Sequence, residues 1–256
     1  MYFQKTMKKF SSITAVIPAA GQGSRFDKNI NKLLFIVNKK TIFEHILDKT
    51  LKLTQTVIII TSKKNNAEIK KICNLIKYQK TIFKFVIQEE SNGMAFAINL
   101  ATPIIKSKYF FIIWADQLGI NYQTMKNSLD NFLLKKKYAI LFPTVKKNKP
   151  YTLIIKNKTG NVIDVLQSRE MNIPKSYGET DCGFFVCNTL IIRSFINKLI
   201  LNNKIITKKT KEYDFLKSFK YISKKHLIST IPAHNKYESK GINTKRDLFY
   251  LIKNWT

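Results

Sequence analysis

Arginine is nearly missing from this sequence. Four residues, Arg25, Arg169, Arg193 and Arg246, stand against 41 lysines. Acidic residues are also sparse, at 16, so the formal net charge reaches +29. That charge alone suggests a nucleic-acid binder. The shortage of arginine argues against it, because the planar guanidinium is the side chain best suited to bidentate phosphate and base recognition. The lysines run from end to end in twos and threes and form no dense basic arm. With abundant Ile and Asn beside them, they read as AT-rich coding and solvated faces, with no specific nucleic acid partner. Cysteine is scarce too: Cys73, Cys182 and Cys187 are an odd set without a C-x-x-C pair, which excludes a disulfide framework and a four-thiolate zinc site. The histidines, His45, His226 and His234, are isolated and carry no metal pattern.

Long apolar runs are absent. The longest, residues 109–115, is far too short to cross a bilayer, and no signal-like stretch precedes the first strand pattern. A soluble, cytoplasmic protein without a membrane partner is expected. Neither a Pro/Gly/Ser linker nor a repeat divides the chain, so residues 1–256 are expected to form a single domain, with 1–12 as a peripheral N-terminal extension.

What is present is an alternation of strand and helix patterns. Apolar, β-branched runs at 13–17, 57–60, 82–87, 109–114 and 138–142 predict buried strands, the last closed by Pro143. Helical spacing at 41–53, 67–76, 93–101 and 125–134 separates them. In the second half, 152–155 and 162–166 flank an Asn157–Gly160 turn and predict a hairpin. A strand at 183–187 and helices at 190–201 and 212–222 follow. The fold class expected is α/β: a Rossmann-like, mostly parallel sheet with helices on both faces and a small antiparallel insertion.

Four segments could carry chemistry. The turn Ala19-Ala20-Gly21-Gln22-Gly23-Ser24-Arg25-Phe26 follows the first strand; small residues there let backbone N–H groups approach a phosphate that Arg25 and Lys32 would neutralise. Phe26 at the third glycine position of G-x-G-x-x-G argues against a dinucleotide-dependent oxidoreductase. Gln88 and Gly93 bound a polar segment after a strand, at the sheet edge where open α/β folds bind ligands; a primary amide both donates and accepts, as reading a pyrimidine edge requires. Asp116 follows the most apolar strand, a site for Mg²⁺ or equally for a helix cap. Gly241-Ile242-Asn243-Thr244 reads locally as a turn and helix start.

Taken in order, these segments resemble the sugar-phosphate nucleotidyltransferases, and most closely the uridyltransferase domain of bacterial N-acetylglucosamine-1-phosphate uridyltransferase. Pro18 to Phe26 stands in register with that family's L-A-A-G-x-G-T-R-M opening. Lys32 matches its P-K-x-L lysine, and residues 88–97 its Q-x-x-x-x-G-T-x-x-A segment. Ala115-Asp116-Gln117-Leu118 matches G-D-x-P, residues 179–184 match E-x-N-T-G-I, and residues 240–244 match E-G-V-N-N. The likeness spans about residues 13–250. It implies a Mg²⁺-dependent enzyme of nucleotide-sugar biosynthesis, serving cell-envelope polysaccharide, that joins UTP to a sugar 1-phosphate and releases pyrophosphate. A cytidylyltransferase using CTP on a phosphorylated acceptor is the alternative. By the same resemblance Ala19, Ala20, Gly21 and Gly23 cradle the nucleotide, Gln88 and Gly93 read its base, Arg25 and Lys32 hold the triphosphate, and Asp116 with Asn243 ligates Mg²⁺. The sugar-binding glutamate and asparagine of the family fall at Gln167 and Asp181, so carboxylate and amide have exchanged places around the acceptor. Met94, Leu118 and Ala115 replace its Thr, Pro and Gly. No hexapeptide repeat follows, so its acetyltransferase half is not expected here.

Overall fold

Apolar runs too short for helices bury both their faces in strands β1 (Thr14–Pro18), β4 (Thr56–Thr61) and β6 (Tyr109–Ile113), which lie side by side and parallel. Strand β5 (Ile82–Ile87), parallel to β4 at the edge of the sheet, is only half-buried and leaves Ile82 and Ile87 exposed. The computed structural model describes residue 10 and residues 12–21, 23, 25–27, 31–76, 80–174 and 176–254. Most of the expected N-terminal extension lies outside the described residues.

Side chains alternate faces along each strand. Ala15, Ile17, Val57, Ile59, Phe111 and Ile113 enter one core, while Val16, Ile58, Ile60, Phe110 and Ile112 enter the other. Helices α1 (Ile42–Leu51), α2 (Asn66–Leu75), α4 (Tyr122–Lys135) and α7 (Lys245–Lys253) cover the first face. Helices α3 (Met94–Ala101), α5 (Thr189–Leu201) and α6 (Phe219–Ile222) cover the second. The Thr41–Glu44 capping box fixes the start of α1, just after the ribbon β2 (Ile36–Val37) and β3 (Lys40–Thr41).

The strand order is β10-β7-β11-β6-β1-β4-β5, with β12 (Leu227–Pro232) also on β7 (Tyr138–Asn148). β10 (Tyr177–Asp181) and β11 (Phe184–Asn188) run antiparallel to their neighbours and lie end to end along one side of β7, kinked at Cys182-Gly183. The hairpin β8 (Thr152–Lys156) and β9 (Val162–Gln167) is the antiparallel insertion. This is the Rossmann-like architecture expected from the sequence.

Three details differ from expectation. Pro143 does not close β7, which runs on to Asn148. The Pro143 carbonyl accepts from Cys182 at the kink, so its nitrogen faces the one place on that side where regular pairing is interrupted and no donor is required. The helix expected over 212–222 begins only after Asp214, as a 3-10 turn Leu216–Ser218 leading into α6. Tyr213 instead bonds through its backbone to Asn92 and Ala95, which holds the segment extended. β10 and β12 had no sequence signal of their own and form because β7 offers both its edges. Among the described residues no helix is long and apolar enough to cross a membrane.

Candidate active site

The order of strands reverses at β1, with β4 on one side and β6 on the other, and ligands of open α/β sheets bind at such a switch point beyond the carboxyl ends. The loops leaving β1, β5 and β6 meet there around a cavity of about 500 Å³. All twelve sequence-selected residues line it: Ala19, Ala20, Gly21, Gly23, Arg25 and Lys32 from the first loop, Gln88 and Gly93 from the second, and Asp116, Gln167, Asp181 and Asn243 from the rest of the chain. Tertiary folding therefore gathers residues that sequence spacing could only place in order.

At the centre lies Asp116. Its carbonyl accepts the Ile242 N–H at 3.0 Å, which seats the segment carrying Asn243 beside it. Lys32 Nζ closes the junction from a nearly buried position, donating to Asp116 Oδ2 at 2.6 Å and to the Ile242 carbonyl at 2.7 Å. Arg25 Nη2 donates to Asn243 Oδ1 at 2.9 Å. Asp247, at the start of α7, accepts the Asn243 N–H at 3.0 Å, and Lys240 at 2.6 Å holds the Asp247 carboxyl below its usual range despite partial burial. Lys32 is thus engaged as a brace between two loops, where the sequence resemblance cast it as a triphosphate contact. The Asp116 side chain keeps 29% of its exposure, facing the cavity.

The β1 side of the cavity is lined by small residues and backbone. Ala19 donates its N–H to the Ile60 carbonyl at 2.7 Å and its carbonyl accepts the Asn65 amide at 2.7 Å, so both its main-chain groups are already engaged within the protein. Ala20, Gly21 and Gly23 line the cavity beside it. Gln88 is buried and its Nε2 reaches the Gly93 carbonyl at 3.4 Å, closing the 88–93 loop on itself. Gly93 has φ +93°, and a Cβ there would lie 2.5 Å from the Tyr213 carbonyl oxygen, so both conformation and close approach require glycine.

The far end of the cavity carries charges that sequence reasoning missed. Arg169, at the end of the hairpin, pairs with Asp214 at 2.7 Å and lies 3.6 Å from Glu212. Burial opposes its charge, but Asp214 and Glu212 hold its pKa above the ordinary arginine value. Asp181 is buried, with Oδ2 accepting the Thr152 hydroxyl at 2.6 Å and Oδ1 the Gly183 N–H at 2.8 Å. Burial pushes its pKa up. Both its oxygens are thereby tied to the hairpin and the β10–β11 kink, whereas the sequence cast it as an acceptor ligand; Gln167 beside it is buried at the wall. Lys147, Lys149 and Lys240 also line the cavity, and burial and the neighbouring Lys240 lower the Lys147 pKa. Rarity was the available signal for Arg169. In a chain that defaults to lysine, Arg25, Arg169 and Arg193 each make a directed contact that a flexible ammonium matches poorly.

Among the described residues no group of three or more His, Cys, Asp and Glu side chains could hold a metal. Of the four described carboxylates that line the cavity, Asp181 is tied to Thr152 and Gly183, and Glu212 and Asp214 face Arg169. Asp116, with the amide oxygen of Asn243, is the donor set suited to a Mg²⁺ that keeps waters and shares substrate phosphates.

A Rossmann-like sheet with a charged cleft at its switch point and an antiparallel hairpin beyond it is the α/β fold that the chain shares with solved transferase structures. The chain belongs to the MobA-like NTP transferase family, whose model matches residues 15–175, and so to an enzyme family of nucleotidyltransferases. Among curated proteins it is 23% identical over 245 residues to the bifunctional protein GlmU of Francisella tularensis subsp. novicida, covering 95% of this chain and 51% of that protein. The chain spans about half the length of the curated relatives it matches. Among solved structures it resembles a UDP-glucose pyrophosphorylase complexed with UDP-glucose (TM-score 0.70, 17% identity, 95% and 98% of the two chains). It also resembles the inositol-1-phosphate CTP transferase from T. maritima (TM-score 0.70, 13% identity, 95% and 96% covered). At these identities the structural likeness establishes the fold.

Proposed function

We propose that this chain transfers a nucleotidyl group from a pyrimidine nucleoside triphosphate, UTP before CTP, to the phosphate of a sugar-like acceptor, releasing pyrophosphate. One observation carries the reading: the Asp116 and Asn243 segments, far apart in sequence, are locked together by the Ile242 N–H and by Lys32 at the centre of the cavity. A solvated loop aspartate or a helix cap needs no such partner.

Ala20, Gly21, Gly23 and Arg25 hold the triphosphate, while Gln88 and Gly93 hold the base. The Gln88 amide suits either uracil or cytosine, since it can present its donor or its acceptor. The hairpin end, with Gln167 and Arg169, faces the acceptor. An acceptor phosphate oxygen attacks the α-phosphorus in line; a new P–O bond forms, the α–β bridging bond breaks, and pyrophosphate leaves. No general base is required, because a phosphate monoester is already an anion, and catalysis is positioning plus charge neutralisation. Asp116 and Asn243 would hold Mg²⁺, which supplies Lewis-acid neutralisation of phosphate charge. Lys32 orients Asp116, and Arg25 sits on Asn243 where it can pass to a phosphate. Gln167 and Asp181 differ from the N-acetylglucosamine pattern, so the acceptor extends to other phosphorylated polyols. These substrates are soluble metabolites of the cytoplasm, where we place the protein.

The test is a matrix of four nucleoside triphosphates against sugar 1-phosphates and phosphorylated polyols, scored by Mg²⁺-dependent pyrophosphate release. Turnover confined to UTP or CTP with one acceptor class is expected. Equal use of ATP and GTP overturns the role given to Gln88, and release independent of acceptor overturns the transferase reading.

A further inference from the structure

Acids are scarce in this chain, yet Glu238 is fully buried, in the 3-10 turn Lys236–Ser239. No motif pointed to it. Its carboxylate meets donors only. Oε2 accepts the Asn121 N–H at 2.9 Å, and Oε1 accepts the Thr124 hydroxyl at 2.9 Å and the Asn235 N–H at 2.8 Å. Its main-chain carbonyl accepts the Gln117 side-chain amide at 2.5 Å. One residue thus grips the loop 116–121 near both its ends and joins it to the turn that leads into Asn243.

The two segments are in close contact along their length. A Cβ on Gly119 would lie 2.8 Å from the Tyr237 carbonyl oxygen. Ile242 donates to the Asp116 carbonyl, and Lys32 bridges the same pair. From the other side Lys49 Nζ donates to the carbonyls of Leu118 at 2.7 Å and Ile120 at 2.8 Å. Neither segment belongs to a strand, so no ladder sets their spacing. An ionised carboxylate, which only accepts, matches three converging donors; an amide in its place must turn an NH₂ toward one of them.

We propose that Glu238 is a positioning residue for the divalent cation of the activity proposed above. It fixes the separation of Asp116 and Asn243, so that the cation meets two protein oxygens already in place. This rests on the nucleotidyltransferase reading and adds to it a determinant outside the cavity wall. Groups that orient metal ligands typically change metal affinity or activity by about 10–100-fold when altered.

The experiment compares the unaltered chain with Glu238→Gln and Thr124→Val. The second variant removes one donor to Glu238 and serves if the first does not fold. Two quantities are read: amide hydrogen exchange at residues 116–121 and 237–243 in protein free of metal and nucleotide, and the Mg²⁺ concentration giving half-maximal pyrophosphate release. Faster exchange confined to those segments is expected, with half-saturating Mg²⁺ raised roughly 10–100-fold and kcat at saturating Mg²⁺ within about twofold of the unaltered chain. Thr124→Val shows the same pattern, more weakly. Half-saturating Mg²⁺ that does not move in a folded variant overturns the proposal, whatever happens to stability. Absence of Mg²⁺-dependent turnover in the unaltered chain overturns the underlying function and this inference with it, so that arm separates the two failures.

Discussion

Asp116→Asn separates packing from chemistry at the point where both meet. The substitution keeps shape and leaves the main-chain carbonyl that accepts from Ile242, but removes the charge opposite Lys32. Lys32 is then a nearly buried ammonium with the Ile242 carbonyl and a neutral amide as partners, its side chain 11% exposed against 29% for Asp116. Exposed pairs are worth up to about 1 kcal/mol, and breaking fully buried ones costs about 3–5 kcal/mol. This half-open pair belongs between, at about 1–3 kcal/mol. In a chain of this size each kcal/mol lowers Tm by roughly 2–4 °C. From a native stability of about 5–15 kcal/mol, a loss of that order leaves at least about 95% of the protein folded at 25 °C. Removing one preorganised electrostatic group from a reacting centre, by contrast, costs about 10²–10³ in kcat. A small Tm decrease by calorimetry together with a hundredfold loss of pyrophosphate release therefore places Asp116 in the chemistry. Turnover within roughly fivefold of wild type, with the same Tm decrease, would show a structural ion pair only and refute the reasoning.

Gly93→Ala forces a Cβ to 2.5 Å from the Tyr213 carbonyl oxygen at φ +93°; we expect a loss of about 1–3 kcal/mol in urea melts and a KM increase for nucleotide that exceeds the one for acceptor. Arg169→Gln leaves the Asp214 side chain, 4% exposed, without its counter-ion and should cost about 2–3 kcal/mol, less than a fully buried pair because the guanidinium is 32% exposed. Adding Asp214→Asn should recover much of that loss, and strict additivity in the double-mutant cycle would show that the pair is not coupled. Burial, partly offset by Glu238, lowers the Lys49 pKa to about 8. Between about pH 8 and the unfolded value of 10.5 the unfolded chain binds more protons, so stability should rise with pH by up to about 1.4 kcal/mol per unit. Denaturant melts across that range should show this component in the wild type and not in Lys49→Met; equal slopes would remove Lys49 as its source.

How far the fold could be read depended on local pattern. β1, β4 and β6 carry continuous apolar runs, β5 an apolar run broken only by Lys84, and α1 has its own capping box, so their existence follows from short windows. β10 and β12 contain glycine, acids, serine and threonine, and exist because β7 accepts them, a tertiary effect that no window holds. Residues 212–214 have helical composition but exchange main-chain hydrogen bonds with the 92–95 segment, and long-range pairing prevails over propensity. In the site, the twelve residues picked out by motif order all line the cavity. Motif order missed what these residues were already holding: Lys32 on Asp116, Asp181 on Thr152, and the Ala19 N–H on Ile60. Asn65 and Glu238 act through carbonyls and amides on distant loops, and such contacts leave no spacing to read.

The last strand of the sheet, β12, ends at Pro232, whereas the cavity acquires Asn243 only afterwards, together with the start of α7. Growth and competence are thus separated in time on the ribosome, where chains emerge at about 5–20 residues per second. A nascent chain that has released β12 can form every strand pairing, yet its Asp116 still lacks the Ile242 amide and its Lys32 still lacks the Ile242 carbonyl. A stall or cleavage between Pro232 and Ile242 would leave every strand in the chain but strip Ile242, Leu248 and Leu251 from the first core, so that part of the packing and the junction at Asp116 would be lost together.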